Sequence, residues 1–451
     1  MNRKYSYMRK LYLILPIFLL FLQLQTQAQT TYEQTMMLSL EEALEIASDQ
    51  NFSIQQASFD VDKNRAQYRQ TNAIFLPQVS FEYNVISTND PLNVFGFKLK
   101  QEVVSQQDFN PALLNDPDAY ENFNAKVVIQ QPVFNPDMFM QRSAVKNQLK
   151  STNEQLQGTK NYIRYQVRNL YYNLILHTNQ LEVIESALQT AGEHRRQAEN
   201  LLEEGMISRS DFLAARVFEL EMESRKLHTE NERSNVQENL ALLLGFDGTH
   251  TITPTESLKD FSKTTFNADG LSFQINNAQT RAIDYRVKAA ERMVRSSEYS
   301  FLPKVNVFGS YEFNDRDFAG FGASSYMIGA NLTWNIFSGF SKAGKMMEAR
   351  ADLRKAQSMQ QNHRFEQENN VREAMRSLEH ARQELELSDE SIRQSTEDVR
   401  IRSNRYAEGM ERTTDLLEAE TKLAEAKLKN LMALYKYNMS IATLNLLLET
   451  N

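Results

Sequence analysis

The sequence predicts a mixed α and β protein in which one unit, helix–strand–strand–helix–turn–helix, occurs twice. Three observations predict this fold class: two long proline-free segments, four short segments with alternating apolar and polar residues, and a turn motif that is written twice. Proline-free segments rich in Glu, Gln, Ala, Leu, Lys and Arg favour helix. Strict alternation favours strand. One internal duplication accounts for all three observations.

The turn motif is the clearest sign of the duplication. Leu201–Glu221 recurs as Arg405–Glu425, and seven of the 21 aligned positions are identical. In each copy we expect a helix to end at a glycine, Gly205 or Gly409, because glycine adopts the left-handed conformation that closes a helix. The Ser/Thr-Asp pair that follows is typical of the cap of the next helix. Each copy therefore predicts the tip of a helical hairpin.

The N-terminus predicts export. Four basic residues precede the apolar run Leu11–Leu22, and Thr26-Gln27-Ala28 supplies small residues for a signal peptidase. The run of 12 residues is too short to span a bilayer of ~30 Å, so residues 1–28 are predicted to be a cleaved signal peptide. The sequence contains no cysteine, so we expect neither a disulfide nor a lipid anchor at the mature N-terminus.

Charge restricts the partners. Removal of residues 1–28 takes away four positive charges, so the formal net charge moves from −8 to −12 on 423 residues. This charge argues against nucleic acid and anionic lipid headgroups as partners. No later segment approaches 18 apolar residues. If the exported chain enters a membrane, it must therefore do so through β-strands.

The placement of proline and glycine predicts the helices. A capping box, Ser39–Glu42, opens a helix that is expected to run to about Phe75. Asp137–Glu203 and Phe340–Ala407 should each form one helix about 100 Å long at 1.5 Å per residue. Helices of about half that length are expected over 211–245, 274–299 and 411–448. Two half-length helices would thus match each long one.

Four segments predict strands: Gln78–Ile86, Ala125–Phe134, Lys304–Asn314 and Tyr326–Ile336. Strands of about 10 residues with one apolar face are typical of outer-membrane barrels, but an ordinary half-buried sheet shows the same alternation. Four strands cannot close a barrel, which needs about eight or more. In a membrane, several subunits would have to contribute four strands each: two subunits would give 8 and three would give 12.

The repeats define the predicted domains. Leu76-Pro77-Gln78-Val79 matches Leu302-Pro303-Lys304-Val305 at the helix-to-strand junctions. Residues 29–245 are predicted to be the first repeat and residues 271–451 the second. Residues 246–270 form a polar linker between them.

In these features the chain resembles the outer membrane efflux proteins, the TolC-like channel-tunnels, and specifically a non-lipidated member. The resemblance rests on the duplicated element order, the LP[QK]V junctions and the G-x₄-[ST]-D-x-L-x-A turns at 205–215 and 409–419. It implies a homotrimer, with twelve strands in one barrel in the outer membrane of a Gram-negative bacterium and long antiparallel helices in a periplasmic α-helical barrel. The implied function is an exit duct of a tripartite efflux or type I secretion system.

The resemblance also implies partners at the tips: a periplasmic adaptor, and through it an inner-membrane pump of the RND or ABC type. Capping alone would explain Gly, Ser and Asp at these turns. It does not explain why both copies keep a methionine after the glycine. The predicted adaptor-docking residues are Gly205, Met206, Ser208, Ser210, Asp211, Gly409, Met410, Thr413, Thr414 and Asp415.

Three further features carry hypotheses. Some family members narrow the periplasmic aperture with acidic rings, and Asp389, Glu397 and Asp398 are candidates; the alternative is a solvated helix face. The loop Ser87–Tyr120 is longer than its counterpart and is expected to fold over the barrel mouth; the alternative is a flexible surface loop. Arg412 stands where the first tip has Ser208, so the second tip is the better candidate for a movable gate.

Catalytic motifs are missing from the sequence. The six histidines show no HExxH spacing, and no G-x-S-x-G, P-loop or dinucleotide fingerprint occurs. We therefore predict no enzyme, no metal and no cofactor. Two alternative functions are a periplasmic adaptor and a coiled-coil scaffold of an envelope complex. An adaptor usually has one hairpin where this chain has two, and a scaffold does not explain the strands.

Overall fold

The computed structural model describes residues 35–247, 250–261 and 276–449. The predicted signal peptide and most of the second half of the predicted linker lie outside the described residues. Among the described helices, none combines the length and the apolar character needed to cross a membrane. The described chain divides into two compact units, one made of 35–47, 167–261 and 388–435, and the other of 48–166, 276–387 and 436–449.

Helices make up most of both units. They are α1 (Leu40–Gln50), α2 (Phe52–Gln70), α3 (Pro91–Lys100), α4 (Pro111–Asn115), α5 (Pro136–Glu203), α6 (Arg209–Leu244), α7 (Leu258–Phe261), α8 (Ala278–Tyr299), α9 (Ser341–Ala407) and α10 (Thr413–Leu448). The strands are β1 (Thr35–Leu38), β2 (Gln78–Thr88), β3 (Tyr120–Phe134), β4 (Thr251–Pro254), β5 (Lys304–Asp315) and β6 (Ala323–Thr333).

The two long helices are unbroken, as predicted. Helix α5 has 68 residues and α9 has 67, and both contain glycine in their interiors without interruption. The prediction of one helix from residue 40 to about residue 75 is wrong. The buried side chain of Asn51 accepts hydrogen bonds from the backbone N–H groups of Ser53 and Ile54, at 2.9 and 3.2 Å. An asparagine that caps in this way starts a new helix, so the segment divides into α1 and α2.

The main sheet has the order β2–β3–β5–β6, and all neighbouring strands are antiparallel. The two repeats therefore meet at the central pair, β3 and β5. Successive rows of paired residues face opposite sides. One row is apolar and the next is polar: Phe81, Val127, Tyr311 and Tyr326, followed by Glu82, Lys126, Glu312 and Ser325.

Several strand boundaries differ from the prediction, by up to five residues. Strand β3 begins at Tyr120, five residues earlier than expected, and β6 ends at Thr333, so Trp334 and Ile336 continue the alternation without belonging to the strand. Pairing stops there because Thr333 is opposite Lys304, the first residue of β5. Pro303 precedes Lys304 and has no N–H to donate to a ladder.

A second, small sheet was not predicted. Strands β1 and β4 pair in parallel, so part of the predicted linker is ordered. The carboxylate of Glu256 accepts hydrogen bonds from the Leu40 backbone N–H (2.7 Å) and the Tyr171 hydroxyl (3.0 Å). The same hydroxyl lies 2.8 Å from the Leu38 carbonyl oxygen. This partly buried polar network attaches the start of the described chain to α5.

In the other unit, Asn277 joins three helices. Its Oδ1 accepts the Thr280 N–H at 2.9 Å and so caps α8. Its Nδ2 donates to the Gln367 side chain of α9 (3.2 Å) and to the Leu447 carbonyl of α10 (3.1 Å). Asn277 is only 7% exposed, so removal of its side chain leaves one buried and one partly buried acceptor without this donor.

We predict that Asn277→Ala lowers the free energy of unfolding by about 2–3 kcal/mol, because a helix cap and buried hydrogen bonds are lost together. The measurement is chemical denaturation of the detergent-solubilised protein. Asn110→Ala is the matched control, since Asn110 caps α4 but is exposed. Its expected cost is about 1 kcal/mol or less. Equal costs for the two variants would contradict the role of the buried network.

Candidate functional site at the two helical turns

The two turns that repeat in the sequence have the same backbone geometry. In the first, the Met206 N–H donates to the Leu201 carbonyl (2.8 Å) and the Gly205 N–H donates to the Leu202 carbonyl (3.0 Å). This pair of hydrogen bonds is the Schellman motif, which requires a left-handed residue after the helix. Gly205 supplies it with φ of +73°.

The second turn repeats this pattern bond for bond. The Met410 N–H donates to the Arg405 carbonyl at 2.9 Å, and the Gly409 N–H donates to the Tyr406 carbonyl at 3.0 Å. Gly409 has the same φ of +73°. The role of the two glycines in ending α5 and α9 therefore has a physical cause that is independent of any partner.

The restart of the helix differs between the turns. In the first turn, Ser208 and Asp211 form a full capping box: the Asp211 N–H donates to Ser208 Oγ (3.2 Å), and the Ser208 N–H donates to the Asp211 carboxylate (3.1 Å). In the second turn, Arg412 occupies the equivalent position before α10, and its carbonyl accepts the Asp415 N–H at 3.2 Å. Arginine has no acceptor for a cap, so only the backbone part of the pattern is kept.

The second turn has contacts of its own that the sequence motif does not reveal. The carboxylate of Glu411 lies 3.3 Å from a guanidinium nitrogen of Arg402 and 3.1 Å from one of Arg405. The hydroxyls of Tyr406 and Thr413 are 3.3 Å apart. In the sequence, these contacts correspond to arginines six and nine residues before Glu411. The spacing could not predict the ion pairs, because the residues come together only when the turn folds back on α9.

Near the tip of the second hairpin, the start of α10 packs against the first hairpin. Leu417 of α10 is buried in a cluster with residues of α5 and α6: Ala191, Ala198, Ala215, Phe218 and Met222. Leu213, the equivalent leucine of the first copy, is instead 50% exposed, whereas Leu417 is 6% exposed. The same residue type at the same motif position therefore has two environments, and only one is satisfied within the single chain.

The methionines after the glycines are the most exposed apolar residues of the motif. Met206 is 69% exposed and Met410 is 60% exposed. Of the other predicted docking residues, Ser210 and Thr414 are exposed, Asp211 and Asp415 are partly buried, and Thr413 is buried. An ideal Cβ placed on Gly205 or Gly409 would meet nothing within 4 Å. The surface of both turns is therefore open.

The structure gives each candidate aperture carboxylate a nearby partner on its own chain. Glu397 receives two hydrogen bonds from Arg400, which hold the pKa of its carboxyl below the usual value of 4.5. Asp398 pairs with Arg402 at 2.9 Å, and Asp389 accepts from the Asn430 amide at 2.7 Å. At 100° per residue, Asp389 and Asp398 fall on opposite sides of α9. The acidic ring remains a prediction for these residues.

Comparison with known proteins decides the family. A family model described as outer membrane efflux protein matches residues 43–246 and 272–449, which is most of the chain. The chain belongs to the outer membrane efflux protein family. The resemblance, the fold class and the outer-membrane location predicted from the sequence are thereby confirmed. Channels of this family serve tripartite efflux systems, so the predicted efflux function is confirmed and the adaptor and scaffold alternatives are not favoured.

Solved structures of low sequence identity share the fold of this efflux protein. The outer membrane protein VceC from Vibrio cholerae matches with 17% identity and a TM-score of 0.78, over 91% of this chain and 95% of that one. The Campylobacter jejuni channel CmeC matches with 16% identity and a TM-score of 0.76, over 91% and 85%. The open state of the Neisseria gonorrhoeae channel MtrE matches with 16% identity and a TM-score of 0.74, over 91% and 88%. No curated protein sequence matches the chain.

The difference between the two caps predicts different local stabilities at the two turns of the efflux protein. Ser208→Ala should destabilise the first turn of α6 by about 1 kcal/mol, and Arg412→Ser should stabilise the first turn of α10 by a similar amount, because it completes a capping box with Asp415. Hydrogen exchange of the backbone amides in these two turns measures both effects. Ser210→Ala is the control, since Ser210 lies inside the helix. Unchanged exchange in Arg412→Ser would contradict this account.

Proposed function

We propose that three copies of this chain form a passive exit duct through the outer membrane, with the apolar face of the sheet towards lipid and the polar face towards the lumen. The observation that carries the proposal is the sheet itself. Its apolar face is exposed along all four strands, as shown by Phe81, Ile129, Tyr311 and Ile328. Apolar residues on an exposed face are stabilised by lipid and not by water.

The edges of the sheet support assembly. Strands β2 and β6 are the outermost strands, and neither has a second partner among the described strands. An unpaired strand edge in lipid costs several kcal/mol for each backbone group. Pairing of β6 of one copy with β2 of the next removes these edges. Proteins of this family are homotrimers, and three copies supply twelve strands.

The helices support the same assembly. Helix α6 carries an exposed apolar stripe with helical spacing: Leu213, Val217, Leu220 and Leu227. The four residues lie along one face of the helix and are each at least 46% exposed in the single chain. A ring of helices from three copies would cover such a stripe. It therefore supports a periplasmic helical barrel built from several copies.

The two turns are the proposed docking site for a periplasmic adaptor, which would connect the duct to an inner-membrane pump. The Schellman motif and the caps explain the glycine, serine and aspartate residues of the turns. They do not explain the exposure of Met206 and Met410. A flexible apolar side chain at an exposed tip adapts well to a partner surface. Conduction through the duct needs no catalysis and no cofactor in this chain, because the pump supplies the energy.

We predict that the full-length chain, expressed with its N-terminal segment, is extracted from outer membranes as an SDS-resistant trimer. In planar bilayers this trimer should conduct ions. The test uses unheated and heated gel samples, followed by single-channel recording of the purified trimer. A product that stays soluble without detergent, or a trimer that never conducts, would overturn the proposed duct.

We predict that Met206→Glu/Met410→Glu abolishes complementation of a deletion strain challenged with a panel of dyes, detergents, antibiotics and metal ions. Burial of one methionine contributes about 1.5–3 kcal/mol, so loss of two weakens adaptor binding about 100-fold or more. The trimer and its conductance should be retained, since both side chains are exposed. Met37→Glu is the matched control, because Met37 is also 69% exposed but lies in β1. Full complementation by the double variant would refute docking at the turns.

A further inference from the structure

The segment between β2 and β3 is folded. It contains α3, a short 3₁₀ turn at Gln106–Phe109 and α4, and we call residues 91–115 the lid. The alternative considered from the sequence, a flexible surface loop, does not describe it. Helix α3 is capped by Asp90, whose carboxylate accepts the Asn93 N–H at 2.9 Å. The counterpart between β5 and β6 is a short connection of seven residues, 316–322.

The lid is held together by its own contacts. Lys98 Nζ lies 2.6 Å from a carboxylate oxygen of Asp108. This lysine and the N–H and hydroxyl of Ser105 hold the pKa of Asp108 at about 2, so the carboxylate stays charged over the physiological range. The rings of Phe95 and Phe109 meet edge to face at 5.7 Å. The lid is therefore one compact element that can block space.

Two consecutive residues at the end of α3 attach the lid to the sheet. Gln101 is buried: its Nε2 donates to Asn122 Oδ1 (2.9 Å), and its Oε1 accepts from the Tyr120 hydroxyl (2.7 Å). Lys100 Nζ lies 3.0 Å from the Glu312 carboxylate. Tyr120 and Asn122 belong to β3 and Glu312 belongs to β5. The lid thus contacts both central strands.

All of these contacts are on the polar face of the sheet. On β3, Tyr120 and Asn122 lie an even number of residues from Lys126 and so share its face, and on β5 Glu312 is paired with Lys126. Val127 and its row lie on the opposite, apolar face. Beneath the lid, a carboxamide oxygen of Asn314 accepts from the amides of Asn122 and Asn124, each at 3.1 Å. Asn314 is 1% exposed. Polar side chains on the face assigned to the lumen are therefore covered at this end of the sheet.

In the short connection between β5 and β6, Phe318 and Ala319 contact the apolar face of the sheet. The ring of Phe318 packs against the rings of Tyr83 and Phe123, with centroids 6.0 Å away in both cases. The Ala319 N–H donates to the Tyr83 hydroxyl at 3.0 Å. Tyr83 and Phe123 lie on the apolar face. Arg316 of the same connection lies over the ring of Tyr120 on the polar face, with its guanidinium carbon 5.2 Å from the centroid. The short connection thus contacts both faces, whereas the lid contacts described above are all on the polar face.

We propose that the lid projects into the lumen at the outer end of the duct and sets the upper size limit of the solutes that leave. This inference rests on the proposed function, which assigns the polar face to the lumen. Three copies would place three lids around one axis. The lid is attached to β3 and β5 by an ion pair and amide hydrogen bonds, and Val94 of α3 is buried as well. A charge change at Lys100 removes one of these contacts and should loosen the lid without unfolding the sheet.

The test compares single-channel conductance and the largest polyethylene glycol that enters the pore, for wild type and for a variant in which residues 91–115 are replaced by a short Gly-Ser linker. Removal of the lid should raise conductance roughly two-fold or more and admit larger polymers, because a wider pore passes more ions. Lys100→Glu, which places like charges together, should produce a change in the same direction. Lys100→Met, which removes the ion pair without placing like charges together, should produce a smaller change in the same direction.

Phe318→Ala is the matched control in the other connection and should leave conductance unchanged. SDS-resistant trimers on unheated gels establish that each variant has assembled. If wild type conducts and neither the deletion nor Lys100→Glu differs from it, the lid proposal is wrong and the proposed duct stands. If neither wild type nor the deletion conducts, the proposed duct is wrong, and the lid proposal, which rests on it, is wrong as well.

Discussion

The need to pair every backbone group of the strands governs the rest of this structure. Each repeat supplies only two strands to the main sheet. Two paired strands satisfy their two inner edges and leave their two outer edges unpaired. The chain pairs two of these outer edges by joining β3 to β5, from Phe123 to Phe134 on one side. In the proposed duct, further copies of the chain pair the remaining edges of β2 and β6. The proposed assembly and the shared wall of long helices are both consistent with this requirement.

Patterns with a strong local cause could be read from the sequence. The long helices, the four sheet strands and the Schellman turns depend on proline placement, alternation and the left-handed glycines, so they were predicted within a few residues. The break at Asn51 was missed because an asparagine can also lie inside a helix, and its role as a cap is visible only in the hydrogen bonds that its side chain accepts from the Ser53 and Ile54 N–H groups. The small β1–β4 sheet was missed because four-residue strands carry too little periodicity to detect.

At the turns, the sequence identified the residues but not their environments. The identity of Leu213 and Leu417 predicts equal roles, yet one is exposed and the other is buried against the first hairpin. The contacts of Glu411 with Arg402 and Arg405 depend on how α9 and α10 fold back on each other. Contacts of this kind have no periodic pattern in the sequence. The length of the lid could likewise be read from the sequence, but the face of the sheet that it covers could not, because that depends on the contacts of Gln101 and Lys100.

The strand order has an evolutionary consequence. The junction of β3 with β5 inside one chain is equivalent to the proposed junction of β6 with β2 between chains, so three copies would approximate six-fold symmetry. In a ring of six identical halves, any substitution would appear six times. Fusion of two halves into one polypeptide lets alternate positions diverge. Ser208 against Arg412, and the lid against the short connection at 316–322, are such divergences: each gives a three-fold feature on a nearly six-fold frame.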